Sequence, residues 1–216
     1  MNIEDALEVG KKFLRELDGF LAANYHVLKC SDVHEIYFQF FKDLKNFKGN
    51  SNGFTGLSEL LIFRFLYHQL GGSFEPREIP PYTKEFVHGD LRIRQSLPIR
   101  VDENRYFPDI SLYQGSNLMA AIQIKIYLTN GMKEVQKELK TFQSLRKRNP
   151  SDFRALLMIY NDPGKGKVKH ELNKQKDDNA WFDFLILDKN DELLAEKLRP
   201  SLLLDRLIAV SPGKAI

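Results

Sequence analysis

The sequence predicts an α/β fold in which a mixed β-sheet is flanked by helices and preceded by an N-terminal helical extension. Apolar residues recur at helical spacing over residues 3–70, whereas from about residue 91 they alternate as they do in strands. A further helical stretch and two apolar runs follow, so strands and helices share one chain. The length of 216 residues and the lack of a linker-like stretch predict a single domain over 1–216.

The N-terminal extension, residues 1–48, is predicted to hold two helices. The second begins near Asp32, which forms a D-x-x-E capping pair with Glu35. A loop at 48–53 precedes a third helix at 55–70, which is apolar nearly all round and therefore expected to be buried. The first helix covers 3–23, with the apolar positions Leu7, Phe13, Leu14, Leu17, Phe20 and Leu21.

The second part of the chain is predicted to form the sheet. Asn130 is expected to cap a helix that runs to Arg148 and ends at Asn149-Pro150. A polar, Lys-rich connection at 161–179 is interpreted as a loop, and a short helix at 202–210, within a C-terminal helical segment 200–216, closes the fold. The candidate strands are 91–100, 105–113, 118–128, 153–160 and 181–188.

Alternation along the strand at 118–128 isolates two polar side chains. Gln123 and Lys125 lie at odd positions and therefore share one face, because successive side chains in a strand point to opposite faces. A lysine in so apolar a strand is unusual. The even positions, expected to pack the other face, are all aliphatic: Ala120, Ile122, Ile124, Ile126 and Leu128.

The preceding strand contributes an acid. Asp109 is predicted to lie in mid-strand, on the face opposite Tyr106 and Ile110, and Pro108 indicates an edge or a bulge there. A hairpin around residues 114–117 would bring Asp109 towards Gln123 and Lys125. A carboxylate, an amide oxygen and an ammonium would then share one patch, and oxygen ligands suit a hard cation such as Mg²⁺.

These residues resemble a known signature. Pro108-Asp109, thirteen intervening residues and then Gln123-Ile124-Lys125 are similar to the PD-(D/E)XK nuclease motif, in the Q-x-K form of Mrr-type restriction enzymes. The family's order of helix, three-strand meander, helix and strand is similar to residues 54–190, which would be the nuclease-like core.

The resemblance implies a restriction-endonuclease-like fold and hydrolysis of DNA phosphodiester bonds with Mg²⁺ or Mn²⁺. It implies that Asp109 binds the metal, together with Glu59 of the upstream helix. Gln123 would offer its side-chain oxygen and Ile124 its backbone carbonyl. Lys125 would serve the attacking water or the transition state.

Other interpretations remain open for the same residues. Lys125 and Asp109 could form a cross-strand ion pair, and Glu59 could favour the helix dipole. Gln123 stands where the family usually has an acid, which lowers the charge of the metal site and leaves room for a catalytically inactive nucleic-acid-binding module. The aromatic N-terminal helices could instead form a protein-interaction surface.

The charge pattern favours DNA as the partner, with a homodimer left open and no membrane partner. The chain carries a net charge of +3, and basic residues gather on the helix at 130–148 as a phosphate-contacting or merely solvated face. The single Cys30 and a start without a signal-peptide pattern predict a cytoplasmic location. The candidate DNA contacts are Lys133, Lys137, Lys140, Arg146, Lys147 and Arg148.

Overall fold

The computed structural model describes residues 3–48, 55–71, 85–101, 103–149, 152–164 and 166–205. Six helices lie in these residues: α1 (Ile3–Asn24), α2 (Cys30–Lys48), α3 (Thr55–Gln69), α4 (Met132–Arg148), α5 (Gly166–Asp178) and α6 (Leu194–Ser201). The same residues contain eight strands: β1 (Glu85–His88), β2 (Leu91–Gln95), β3 (Ile99–Val101), β4 (Asn104–Tyr106), β5 (Ile110–Gln114), β6 (Asn117–Lys125), β7 (Arg154–Ile159) and β8 (Phe182–Ile186).

Six of the strands form one mixed sheet in the order β1-β2-β5-β6-β7-β8. The pairs from β1 to β6 are antiparallel, whereas β6, β7 and β8 run parallel. Strands β3 and β4 form a separate two-stranded hairpin. The parallel strands are joined through α4 and α5, which agrees with the need of a parallel pair for a long crossover.

The sheet separates two apolar clusters. On one face, Ile122 and Ile124 of β6 pack in a cluster that includes buried residues of α1, α2, α3 and α6. On the other face, Ala121 of β6 packs with buried residues of α4 and α5. The N-terminal extension therefore belongs to the main core, since Leu21 and Tyr37 lie in the same cluster as the strands. The chain is a mixed sheet flanked by helices, as the sequence predicted.

The first four helices occur where the apolar spacing placed them, but two of their predicted starts are wrong. Helix α2 begins at Cys30, and Asp32 accepts a hydrogen bond from the Lys29 backbone N–H at 2.8 Å, so Asp32 lies in the first turn. Helix α4 is preceded by Gly131, whose φ of 51° sets the entry of the chain without a side-chain cap. Asn130 is therefore not the cap residue.

The later helices depart further from the prediction. The Lys-rich connection at 161–179 contains α5, whose buried residues Val168 and Leu172 supply a narrow apolar side that composition alone concealed. Helix α6 (Leu194–Ser201), which contains Pro200 near its end, was not predicted, and the predicted helix at 202–210 is represented in the described residues only by the helical Leu204 and Asp205. Residues 206–216, which hold most of that predicted segment, lie outside the described residues.

Two predicted strands are each divided in the structure, and one strand was not predicted. The stretch 91–100 divides at Ser96 into β2 and β3, and 105–113 divides at Pro108 into β4 and β5. Tyr106 and Ile110 consequently pack in opposite clusters. Strand β1 was not predicted, because its four residues follow a stretch rich in proline.

The alternation in β6 also changes along the strand. The pairing with β5 shifts register at Leu112 and Tyr113, so Met119 packs on the same face as Ala120. Leu128, beyond the end of β6, packs on the opposite face from Ile124. The predicted alternation therefore holds for residues 120–126 and fails outside them. None of the helices in the described ranges is long and apolar enough to cross a bilayer.

Candidate functional site

Asp109 lies immediately before β5 and contacts β6 through its carboxylate. Its Oδ2 accepts hydrogen bonds from Gln123 Nε2 at 2.7 Å and from the Ile124 backbone N–H at 2.5 Å. Strand β5 begins with Ile110 opposite Ile122, so Asp109 precedes the first paired residue of β5. At this end of the strand pair, the Asp109 carboxylate, and not a backbone carbonyl, accepts the Ile124 N–H. The sequence predicted that Asp109 and Gln123 approach each other, and the structure brings them into direct contact.

Lys125 is held by two acids of α4. Its Nζ lies 2.8 Å from Oε1 of Glu138 and 3.6 Å from Oε1 of Glu134. These two glutamates are four residues apart and therefore on one helical face, which points at β6. Glu138 is buried, with 5% of its surface exposed, so its charge depends on the Lys125 ammonium.

Glu59 of α3 joins the site through a turn. Ser96, which follows β2, donates a hydrogen bond from Oγ to Oε2 of Glu59. The Ser96 backbone N–H donates to the main-chain oxygen of Asp109 at 2.9 Å. The backbone of Ser96 has a φ of 48°, a conformation that non-glycine residues adopt infrequently. This turn therefore fixes Glu59 and Asp109 relative to one another.

Acids predominate at the site. Burial, together with the charges of Glu59 and Glu138, raises the pKa of Asp109 to about 7, although the hydrogen bond from the Ile124 N–H and the charge of Lys125 act in the opposite direction. Burial lowers the pKa of Lys125, but the hydrogen bond and charge of Glu138, with Glu134 and Asp109, reverse this and leave it raised. Lys125 therefore stays protonated at neutral pH, whereas the Asp109 carboxyl group titrates close to neutral pH.

A cavity of about 310 Å³ opens beside these groups. Glu59 and Lys125 line it from two sides, and the chain beyond β6 forms its rim. It is open to solvent. The lining residues are Ser58, Glu59, Ile124, Lys125, Ile126, Tyr127 and Thr129.

The donor types fit a hard cation. Asp109 and Glu59 supply carboxylates, and the acid excess around Asp109 is a charge that a divalent cation would neutralise. In an extended strand the N–H and C=O of one residue share an edge, so the carbonyl of Ile124 faces the side on which its N–H meets Asp109. Gln123 donates its amide N–H to Asp109. Its amide oxygen is an uncharged oxygen of the type that binds hard cations.

The charge count of this set is low. Among the described residues, no three His, Cys, Asp or Glu side chains are grouped closely enough to hold a metal ion. A cation here would be bound by two acids and by neutral oxygens, and fewer charged ligands mean weaker binding. Weak affinity is therefore the expected property of this site.

Sequence reasoning missed Glu134 and Glu138. Its apolar stripe on α4 ran through Val135, Leu139 and Phe142, and Glu138 lies between the first two on the same side of the helix. An acid inside an apolar stripe is an anomaly of the same kind as Lys125 in an apolar strand. Pairing the two anomalies could have identified Glu138 from the sequence.

The predicted DNA contacts are spread along α4 and do not converge on the site. Lys133, Lys137 and Lys140 are exposed. The last turn of α4 lies at the opposite end of the sheet, where Asn149 Oδ1 accepts from the Leu118 N–H at 3.3 Å, and a helix of this length spans about 25 Å. There the Arg146 guanidinium lies 5.3 Å from the centre of the Trp181 ring.

Comparisons of the chain with protein-family models, with curated protein sequences and with solved structures find no match.

Proposed function

We propose that the protein is a metal-dependent nuclease of the restriction-endonuclease-like type, which hydrolyses DNA phosphodiester bonds at the Asp109 site. One observation carries the proposal: Asp109 binds Gln123 and the Ile124 N–H on the strand that also presents Lys125 to an open cavity. A structural ion pair alone would not need this cavity or the excess of acid around it.

Each residue has a distinct task in this proposal. Asp109 and Glu59 would hold the cation, helped by the oxygens of Gln123 and Ile124. Mg²⁺ or Mn²⁺, when bound, would supply a polarised phosphoryl oxygen and a more acidic water. Lys125 stays charged beside Glu138, so it serves as a fixed cation for the phosphate and not as a proton acceptor. Glu134 and Glu138 hold its ammonium on the α4 side of β6.

Cleavage of labelled DNA with Mg²⁺, and separately with Mn²⁺, tests the proposal. We expect Asp109→Ala to remove cleavage and Lys125→Ala to slow it about 10²–10³-fold, the usual cost of losing a preorganised charge at a developing negative charge. Lys12→Ala, an exposed change on α1 outside the proposed site and the basic face of α4, is the matched control and should cleave nearly as the parent does. Cleavage that persists unchanged in Asp109→Ala would exclude this site.

DNA binding through the exposed lysines of α4 is the second part of the proposal. Neutralising backbone phosphates releases counterions, so affinity should fall log-linearly with salt. Replacing Lys133, Lys137 and Lys140 together by Gln should reduce that slope, and fluorescence anisotropy over a salt series measures it. An affinity that is flat with salt would mean that these lysines only solvate the helix.

A catalytically inactive nucleic-acid-binding module is the alternative, favoured by the contacts of Lys125 with Glu138 and Glu134 and by Gln123 in place of an acid. Salt-sensitive DNA binding without cleavage in either metal would establish it. An apolar groove between α1 and α2, lined by Phe13, Phe20 and Phe40 among others, keeps a protein-interaction role or a homodimer open. A cytoplasmic location remains part of the proposal and is checked by cell fractionation.

A further inference from the structure

Tyr127 is an exposed aromatic side chain at the rim of the Lys125 cavity. It lies two residues beyond Lys125, lines the same cavity, and has 58% of its surface exposed. Scattered exposed aromatics need no explanation on a protein surface. An aromatic ring that lines the same cavity as Lys125 and Glu59 is a different case, because a phosphate bound there would lie beside the ring.

The ring is supported from behind. Phe38 of α2 meets Tyr127 edge-on, with ring centroids 6.2 Å apart. Phe38 is in turn in contact with His34, whose ring centroid is 4.6 Å away, and His34 Nε2 lies 3.3 Å from Oδ1 of Asn161. This chain of contacts anchors Tyr127 to α2 and to the end of β7. Its orientation is therefore partly fixed, although most of its surface is free.

A second exposed aromatic side chain lies close along the chain to the same end of β5 and β6. Phe107, 57% exposed, precedes Asp109 by two residues, as Tyr127 follows Lys125 by two. Because β5 and β6 are antiparallel neighbours, the start of β5 and the end of β6 lie side by side at the same end of these two strands. The candidate site therefore lies between two aromatic side chains along the chain path.

Aromatic side chains recognise nucleic acid by stacking on bases, which requires that the base be unpaired or unstacked. Resting on the nuclease function proposed above, we propose that Tyr127 stacks on an unpaired base beside the scissile phosphate. The substrate is then single-stranded or locally unpaired DNA in preference to a continuous duplex. A duplex offers phosphates to Lys125 but no free base face to Tyr127.

Binding measured without cleavage tests the inference. The site's acids repel DNA when no cation is present, so Ca²⁺, an oxygen-binding ion of larger size, is added, and gel electrophoresis checks that the oligonucleotide stays intact. Fluorescence anisotropy is then recorded for one labelled strand, alone and annealed to its complement. The proteins are the parent, Tyr127→Ala, Tyr127→Phe and Phe20→Ala, an exposed aromatic of α1 that is 45% exposed.

We expect Tyr127→Ala to weaken single-strand binding by about 5- to 100-fold, the range found when one stacking ring is removed. Tyr127→Phe keeps the ring and should bind as the parent does, and so should Phe20→Ala. Duplex binding should be weaker than single-strand binding in the parent and unchanged by Tyr127→Ala. Unchanged melting temperatures show that the exposed substitutions leave the fold intact.

Parent-like single-strand binding by Tyr127→Ala, or equal loss in Phe20→Ala, would overturn the inference. Asp109-dependent cleavage of duplex DNA that Tyr127→Ala leaves unchanged would keep the nuclease proposal and overturn the stacking role. Tyr127-dependent single-strand binding without cleavage in Mg²⁺ or Mn²⁺ would support the stacking surface and overturn the nuclease.

Discussion

Two clusters of charged side chains in this fold differ in burial and in charge balance. In the first, which we call the Asp18 cluster, Asp18 of α1 accepts hydrogen bonds from Arg64 Nε and, at 3.0 Å, from His68 Nε2 of α3. In the second, the Asp109 cluster, Glu134 and Glu138 hold Lys125, and the charges of Glu59, Glu138 and Lys125 act on Asp109. The three side chains of the Asp18 cluster are buried, whereas in the Asp109 cluster Glu138 is buried and the other side chains are partly exposed.

The pKa values of the two aspartates move in opposite directions. Burial raises the pKa of Asp18, but the hydrogen bonds from His68 and Arg64 and their charges outweigh it, so the pKa is lowered. Burial raises the pKa of Asp109, and neighbouring acids add to the effect. A carboxylate whose charge is balanced by cationic side chains joins the helices that carry them. A carboxylate surrounded by further acids leaves negative charge that a bound cation would neutralise. The comparison separates a structural cluster from a candidate site without any motif.

The largest expected effect is on the Asp18 cluster. Arg64→Met should lower the free energy of unfolding by about 3–5 kcal/mol, because removing one partner of a buried pair leaves an uncompensated charge. Urea denaturation measures it. Lys12→Ala, which breaks the exposed pair of Lys12 with Glu16, is the control and should change stability by less than about 1 kcal/mol. A small effect at Arg64 would mean that the two clusters do not differ in structural role.

The Asp109 cluster should respond to pH in the opposite sense. The folded pKa of Asp109 is about 7 against an ordinary 3.8, so in this interval the folded protein holds a proton that the unfolded chain has lost. Its contribution to stability is complete below the ordinary pKa and is lost as pH rises through about 7, without divalent cations.

The variant Asp109→Asn carries an uncharged amide at this position, which does not titrate. We expect the variant to be more stable than the parent at about pH 8 by about 1–4 kcal/mol, since one pKa unit corresponds to about 1.4 kcal/mol, and to be close to it at about pH 4. Urea denaturation at the two pH values, in the presence of a chelator, gives the comparison. Equal pH slopes for parent and variant would contradict the charge imbalance.

The smallest effect is expected at Gln123. Gln123→Glu replaces the donor 2.7 Å from Asp109 Oδ2 by a carboxylate, so like charges meet and the metal-free protein should lose about 1–2 kcal/mol of stability. Added Mg²⁺ should stabilise the variant more than it stabilises the parent, because binding to the folded state adds to stability and the extra acid strengthens the site. Thermal melting over a Mg²⁺ series measures both effects, and identical Mg²⁺ responses would argue against a metal at Asp109.

Local sequence signals were sufficient for part of the candidate site. Gln123 and Lys125 were assigned to one face of β6 because alternation within a strand is a local property. Asp109 was connected to them through a short hairpin, which is also local. The strand break at Ser96 was missed because a backbone turn within an apolar stretch leaves the composition of the stretch unchanged, whereas at Pro108 the sequence indicated an edge or a bulge and the structure has a full break.

By itself, the sequence determined that three helices are followed by a run of strands, a helix and a further strand, that helices flank a mixed sheet, and that Asp109 approaches Gln123. Each of these depends on periodicity or on residues close together along the chain. Only the tertiary structure decided that Glu138 holds Lys125, that Ser96 joins Glu59 to Asp109, and that Phe38 supports Tyr127. Those contacts depend on how α4, α3 and α2 pack against the sheet, and packing distances between remote segments leave no periodic trace in a single sequence.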